Sequence, residues 1–244
     1  MSSEAPHRRR LSLVLVALAF LMLLGLGTWQ VYRYLYLSNL NDKLAAGLAE
    51  PPIALPTGPI DAQQLRFHRV RVEGIFLHDK EIHLLANTEE GEQGFQIITP
   101  LRRDDGSYVL INRGWVSNDF VHSETRPQGQ VQGRVTIAGI ARDPGPQGWF
   151  VPDNQPTQNL WFWRDLAGMA KQDGLTVAPV FVEADATPNP GGWPKGGQSV
   201  TRVRNASAEY AITWYLLAVA LVVMYWSSQR TPNRPPDRSP NDPL

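Results

Sequence analysis

Residues 11–27 carry no charge, and this stretch constrains the chain more than any other. As a helix it spans roughly 25 Å at ~1.5 Å per residue, close to the ~30 Å hydrocarbon core of a bilayer. Ser12 is the only polar side chain before Thr28, and its hydroxyl can bond back to its own helix, so nothing polar need stay unpaired in lipid. His7-Arg8-Arg9-Arg10 would also suit the front of a cleaved signal peptide. The length of the run and its ending in bulky Trp29-Gln30, without a small-residue cleavage site, favour a retained span over residues 11–33.

A second uncharged stretch, residues 210–226, sits near the other end of the chain. Two crossings place both termini on one side. Arg8, Arg9 and Arg10 before the first span and Arg230, Arg234 and Arg238 after the second make that side the cytoplasm. The long middle then lies outside, the periplasm of a bacterium, because long loops translocate regardless of charge. Trp29 and Tyr32, with Tyr210, Trp214 and Tyr215, would line the outer interface, and Tyr225 with Trp226 the inner one. Only ten residues precede the first span, too few for an Arg-rich organellar presequence, so a multi-pass protein of the bacterial inner membrane is expected.

Mean hydropathy is −0.26 despite the two spans, so the middle is distinctly polar and forms one extramembrane domain. Net formal charge is zero and no basic cluster with interleaved aromatics appears there, which argues against nucleic acid as a partner. Cysteine is absent, which excludes disulfides, thiol exchange and a thiolate copper site.

The expected organisation is a basic cytoplasmic N-terminus over 1–10, the first span over 11–33, and a helical extension with a Pro-containing connector over 34–65. A β-rich domain follows over 66–187, then a linker over 188–207, the second span over 208–227 and a disordered tail over 228–244. Residues 67–74 alternate apolar and charged side chains with the period of a half-buried strand. Residues 82–85, 93–99, 108–112, 131–140, 160–163 and 177–183 read as further strands. Asp105-Gly106 marks a hairpin turn, and Asp165 and Gly174 bracket a short helix over 166–172. About seven short strands and one short helix predict a mainly antiparallel β domain, a barrel or a sandwich, flanked by the two transmembrane helices.

No nucleophile elbow, zinc-protease helix, phosphate loop or dinucleotide fingerprint is present, so no catalytic residue and no metal ligand set is assigned. A membrane-anchored periplasmic hydrolase is the enzyme alternative, and it lacks a plausible nucleophile with a base. His78-Asp79-Lys80-Glu81-Ile82-His83 reads as the solvated end of a strand. His68 and His122 stand alone, and Asn205-Ala206-Ser207, a glycosylation sequon in form, is set aside.

Two constellations remain. Gly27, Trp29, Gln30 and Arg33 cluster at the outer mouth of the first span, either as a cationic patch or as an interfacial anchor with Arg33 snorkelling. Asn112-Arg113-Gly114-Trp115 follows an apolar strand. It is either a contact site or a strand end with a bulge glycine, a core Trp and an Arg paired to a carboxylate.

In order along the chain stand Leu26-Gly27-Thr28-Trp29-Gln30 with Arg33, then Val70-x-Val72-x-Gly74-x-Phe76, then Thr99-Pro100-Leu101. Val109-Leu110-Ile111-Asn112-Arg113-Gly114-Trp115-Val116, Ala178-Pro179, and Asn205 followed by Tyr210-Ala211-x-Thr213-Trp214-Tyr215 complete the series. Between two spans so placed, this series resembles the surfeit locus protein one family, membrane proteins that assist assembly of haem a-containing cytochrome c oxidase. The resemblance implies a non-enzymatic factor that helps haem a enter, or helps mature, oxidase subunit one, with subunit one, other assembly factors and membrane lipid as partners. It makes Gly27, Trp29, Gln30, Arg33, Asn112, Arg113, Gly114, Trp115, Asn205, Tyr210 and Trp214 the candidates for client or haem contact. Where the family usually has a His favoured as haem ligand, this chain has Ser207, a poor axial ligand beside His, Met, Cys or Tyr. Any contact with haem a is therefore expected to be transient and without an axial ligand from this chain, with Arg33 and Arg113 free to pair propionates or client carboxylates. A haem a carrier that binds the pigment itself is the alternative within the same resemblance.

Overall fold

The computed structural model describes residues 4–88, 91–199 and 201–230. They fall into two compact units, one formed by residues up to Leu40 together with those from Val203, the other running from Asn41 to Arg202. Two helices long and apolar enough to span a bilayer thus flank a β-rich domain.

The helical unit consists of α1 (Glu4–Ala49) as far as Leu40 and of α4 (Ser207–Arg230). Helix α1 begins at Glu4, so residues 4–10 are helical and not a separate segment. It runs on through the expected extension and stops before Pro51-Pro52, whose fixed φ and missing N–H cannot continue a helix. Helix α4 buries only Ser207, Ala211 and Ala218, while Leu216, Val219, Val223 and Met224 face outward. Small residues inside and large apolar ones outside is the pattern of helices packed in lipid. The expected disordered tail lies beyond the described residues apart from 228–230, which are helical.

The second unit is built on an eight-stranded sheet. Its strands are β1 (Ile53–Ala54), β2 (Arg69–Phe76), β3 (Ile82–Asn87), β4 (Gln93–Arg102), β5 (Tyr108–Ser117), β6 (Arg134–Arg142), β7 (Leu160–Trp161) and β8 (Val177–Ala184). Strand order is β1-β2-β6-β8-β5-β4-β3-β7, and an extra pairing of β2 with β4 closes β2, β4, β5, β8 and β6 into a barrel. Four of its five pairings are antiparallel and β5–β8 is parallel. The first four barrel strands lie in the order fourth-first-second-third, which is a Greek key, and with the fifth beside the third they make a five-stranded barrel of the OB type.

Alternation explains the layers. In β2 the buried positions Val70, Val72 and Phe76 point inward, where they meet Leu101, Val109, Ile111, Val180 and Val182. The other face of β4, β5 and β8 carries Ile98, Leu110 and Phe181. Strands β3 and β7 and helix α3 (Leu166–Asp173) cover these with Ile82, Leu84, Trp161 and Met169, giving a second core outside the barrel. Asp165 caps α3 by accepting from the Gly168 amide, and Gly174 ends it in the left-handed conformation, as expected.

Three expectations differ. The connector contains β1, paired in parallel with β2, and a helix α2 (Ala62–Leu65) capped by Asp61. The strand expected at 131–140 starts at Arg134, after a string of 3-10 turns. The linker at 188–197 is docked onto the domain, because Lys195 and Trp115 exchange two backbone hydrogen bonds of 2.9 Å.

That docking depends on Gly114. Its φ is +125°, and a Cβ there would lie inside the van der Waals envelope of the Lys195 carbonyl. Gly114→Ala is expected to cost about 2–3 kcal/mol through strain and undocking, read as a lower thermal midpoint of the sheet's circular dichroism in the detergent-solubilised chain.

Candidate functional site

Asn112-Arg113-Gly114-Trp115 is a β-bulge. Opposite it, Ile97 pairs with Gly114 and Ile98 with Asn112, so Arg113 is the extra residue. The Asn112 side-chain oxygen accepts from the Gly114 amide and holds the bulge. The inserted residue lets Asn112 and Trp115 share the outer face with Gln96, while Arg113 continues the inward row beyond Ile111.

On the inward side Arg113 is only 2 % exposed. Its guanidinium lies over Phe76, donates to Glu81 Oε1 at 3.1 Å and also donates to the Gly129 carbonyl. Arg126 grips the same carboxylate from the other side, donating to Oε2 at 2.5 Å and Oε1 at 3.2 Å. Burial pushes Glu81 up, but hydrogen bonds from His78 and Arg126 and the charges of Arg126 and Arg113 outweigh it and hold the carboxyl at about 2. Burial lowers Arg113 to about 10, which leaves it protonated at neutral pH. Of the two readings of Arg113, the geometry matches the one in which it pairs a carboxylate of its own chain. Glu81 and Arg126 were not legible as site residues, since Glu81 lies in a polar run that reads as solvated and Arg126 has no patterned neighbours.

On the outer side the Gln96 side-chain oxygen accepts from Asn112 at 3.0 Å and from Arg164 at 3.1 Å. Arg164 also pairs Glu183 at 2.9 Å, and Arg142 pairs the other oxygen of Glu183 at 3.1 Å. Burial pulls Arg164 below the usual guanidinium range, against the pull of Glu183. This network and Trp115 form one wall of a cleft of about 920 Å³, whose lining holds four basic side chains, Arg66, Arg142, Arg164 and Lys195, against the carboxylates of Glu92, Asp143 and Glu183. Such a lining can hold a polar or anionic group through forked N–H donors. Sequence alone gave no sign of it, because its charges come from six separate stretches of the chain. Among the described residues no three His, Cys, Asp or Glu side chains converge as a metal site.

The other candidates lie in the helical unit. A Cβ at Gly27 would stand 2.8 Å from the Tyr215 ring, so glycine is what lets that ring lie against α1. The hydroxyls of Thr28 and Tyr215 are 3.2 Å apart. Asn205 donates to the Tyr34 carbonyl at 3.0 Å and to the Ser38 hydroxyl at 3.3 Å, and its own oxygen accepts from the Ser207 amide at the start of α4. These contacts make the two helices antiparallel. Ser207 is buried there, with only a hydroxyl to offer, which does not fit an axial haem ligand. Apart from His7 near the start of α1, the histidines, His68, His78, His83 and His122, belong to the β-rich unit. Trp29 and Arg33 are exposed with the guanidinium 5.6 Å from the indole centre. Tyr210 is exposed, and Gln30 and Trp214 are half-buried.

Two outcomes follow from the Glu81 clasp. Because its folded pKa lies below the ordinary 4.5, the unfolded chain takes up the proton first on acidification. Stability is therefore complete above pH 4.5 and falls, by on the order of 3 kcal/mol, as pH drops toward 2. Glu81→Gln leaves two buried guanidiniums short of a partner and is expected to cost about 3–5 kcal/mol at neutral pH. It should also flatten the dependence of the unfolding midpoint on pH between 4.5 and 2.

The SURF1 family model matches residues 17–219, which take in most of α1, the domain that follows and the first half of α4. A SURF1-like protein of Monosiga brevicollis is 39% identical over 228 residues, covering 88% of this chain and 87% of that one. Surfeit locus protein 1 of Rattus norvegicus is 37% identical over 225 residues (85% and 73% covered), and that of Homo sapiens 34% over 218 residues (83% and 72%). With the match running from the first span through the bulge to Tyr215, the chain belongs to the SURF1 family.

Proposed function

We propose that this chain is an assembly factor for haem a-containing cytochrome c oxidase, acting while haem a enters subunit one and that subunit matures. The observation that carries this reading is the extent of the family match, which takes in the whole barrel and parts of both apolar helices and so concerns far more than one motif. The chain crosses a bacterial inner membrane twice, with its termini in the cytoplasm and the barrel in the periplasm. Arg9, Arg10 and Arg230 support that orientation, since the antiparallel helices bring them to the same end.

Within this reading the roles divide. Arg33, exposed beside Trp29, supplies a cation for a client carboxylate or a haem propionate. The cleft at Arg164 and Arg142 takes an acidic segment of a partner. Arg113 shapes the barrel through Glu81 and does not reach a client. No ligation step is assigned to the chain, given Ser207.

Deleting the gene is expected to remove the haem a signal from membrane spectra while subunit one polypeptide is still made; an unchanged signal would sink the reading. Arg33→Ala should lower haem a content several-fold at an unchanged level of the variant. Arg113→Ala should lower the level of the protein itself, because it removes one of the two guanidiniums that hold the buried Glu81.

A further inference from the structure

Among the described residues of the β-rich unit the only strongly exposed large apolar side chains are Trp149 and Phe150, at 98 % and 100 %; Ile53 and Ile75 are exposed by about two-fifths. The two rings stand at the tip of the loop between β6 and β7, in Gly145-Pro146-Gln147-Gly148-Trp149-Phe150-Val151-Pro152, which carries no charge. The tip has internal order. The Val151 amide donates to the Gly148 carbonyl at 3.1 Å. The Gln147 side chain donates to the Val151 and Pro152 carbonyls and to Asp153 at 2.9, 3.4 and 3.2 Å. A turn braced in this way presents its rings on purpose, since nothing in the loop folds back to cover them.

The chain on both sides of this domain runs into a helix fit to cross a bilayer. Such tethering keeps a lipid surface at high local concentration, so a pair of aromatic rings suffices where a free protein would need a whole amphipathic helix. Trp and Phe are side chains that settle at the boundary of headgroup and acyl chain, and an uncharged tip enters that boundary without desolvating an ion. We infer that the Trp149-Phe150 tip is a third membrane contact, inserting into the headgroup region of the bilayer that the two helices span. It rests on the two spans, not on the oxidase reading, and stands or falls separately from it.

The absence of cysteine allows a clean test. Full-length chain carrying Phe150→Cys, labelled with an environment-sensitive fluorophore, is placed in phosphatidylcholine nanodiscs with or without phosphatidylcholine spin-labelled near the headgroup. Asp105→Cys, at the tip of the β4–β5 turn, is the comparison. Insertion predicts blue-shifted emission at position 150, several-fold stronger quenching there than at 105, and loss of both on adding Trp149→Ala. Both effects should persist in high salt, because no charge is involved. Equal quenching at the two positions, or a shift at 150 that needs an added protein partner, overturns the inference.

Discussion

One buried carboxylate organises the end of the barrel. Glu81 arrives on the residue before β3, and it is held by Arg113 from the bulge in β5 and by Arg126 from the 3-10 turns after it. An ion in so dry a place is tolerable only when every oxygen is engaged, and here both are. The clasp therefore ties three distant segments into one register. With Arg113 drawn inward, the next residue must turn sharply, and Gly114 does so with a φ closed to other residues. Trp115 is then carried to the opposite face, where it joins the cleft and receives the strand-like return at Lys195. The short sequence Asn-Arg-Gly-Trp thus divides its labour, with the Arg inward for cohesion and the Asn and Trp outward toward the cleft's charged network.

The helical unit solves a different problem, closeness without a hydrophobic driving force. In lipid, helices associate through backbone approach and polar contacts. Gly27 gives Tyr215 its place, Thr28 sits beside the Tyr215 hydroxyl, and Asn205 reaches across to the α1 backbone and Ser38. Trp29, Arg33 and Tyr210 are left outward.

What the sequence disclosed and what it withheld follow the range of the interactions involved. Local signals read true: the uncharged runs, Pro51-Pro52 as a stop, Asp105-Gly106 as a turn, Asp165 and Gly174 as caps, and alternation in β2. Each is settled by residues a few positions apart. The β1–β2 parallel pair, the docking of residues 188–197 and the barrel's closure through β2–β4 depend on distant partners and leave no periodic trace. Of the site, the bulge glycine was visible as a glycine after an apolar strand. The clasp and the cleft were not, because Glu81 sits 45 positions from Arg126 in a run of polar residues, and Arg164 meets Gln96 across 68.

The parallel pairing of β5 with β8 bears on biogenesis. Strand β8 is the last of the barrel in sequence, and it supplies both the neighbour of β5 and the neighbour of β6. Until Ala184 has been synthesised, the four earlier barrel strands form an open sheet with two raw edges, prone to pair with other chains. The second membrane helix begins at Ser207, shortly afterwards. Sealing of the barrel and arrival of its downstream helix thus fall almost together in the life of the nascent polypeptide, so the raw edges are closed within a few tens of residues of the end of the barrel.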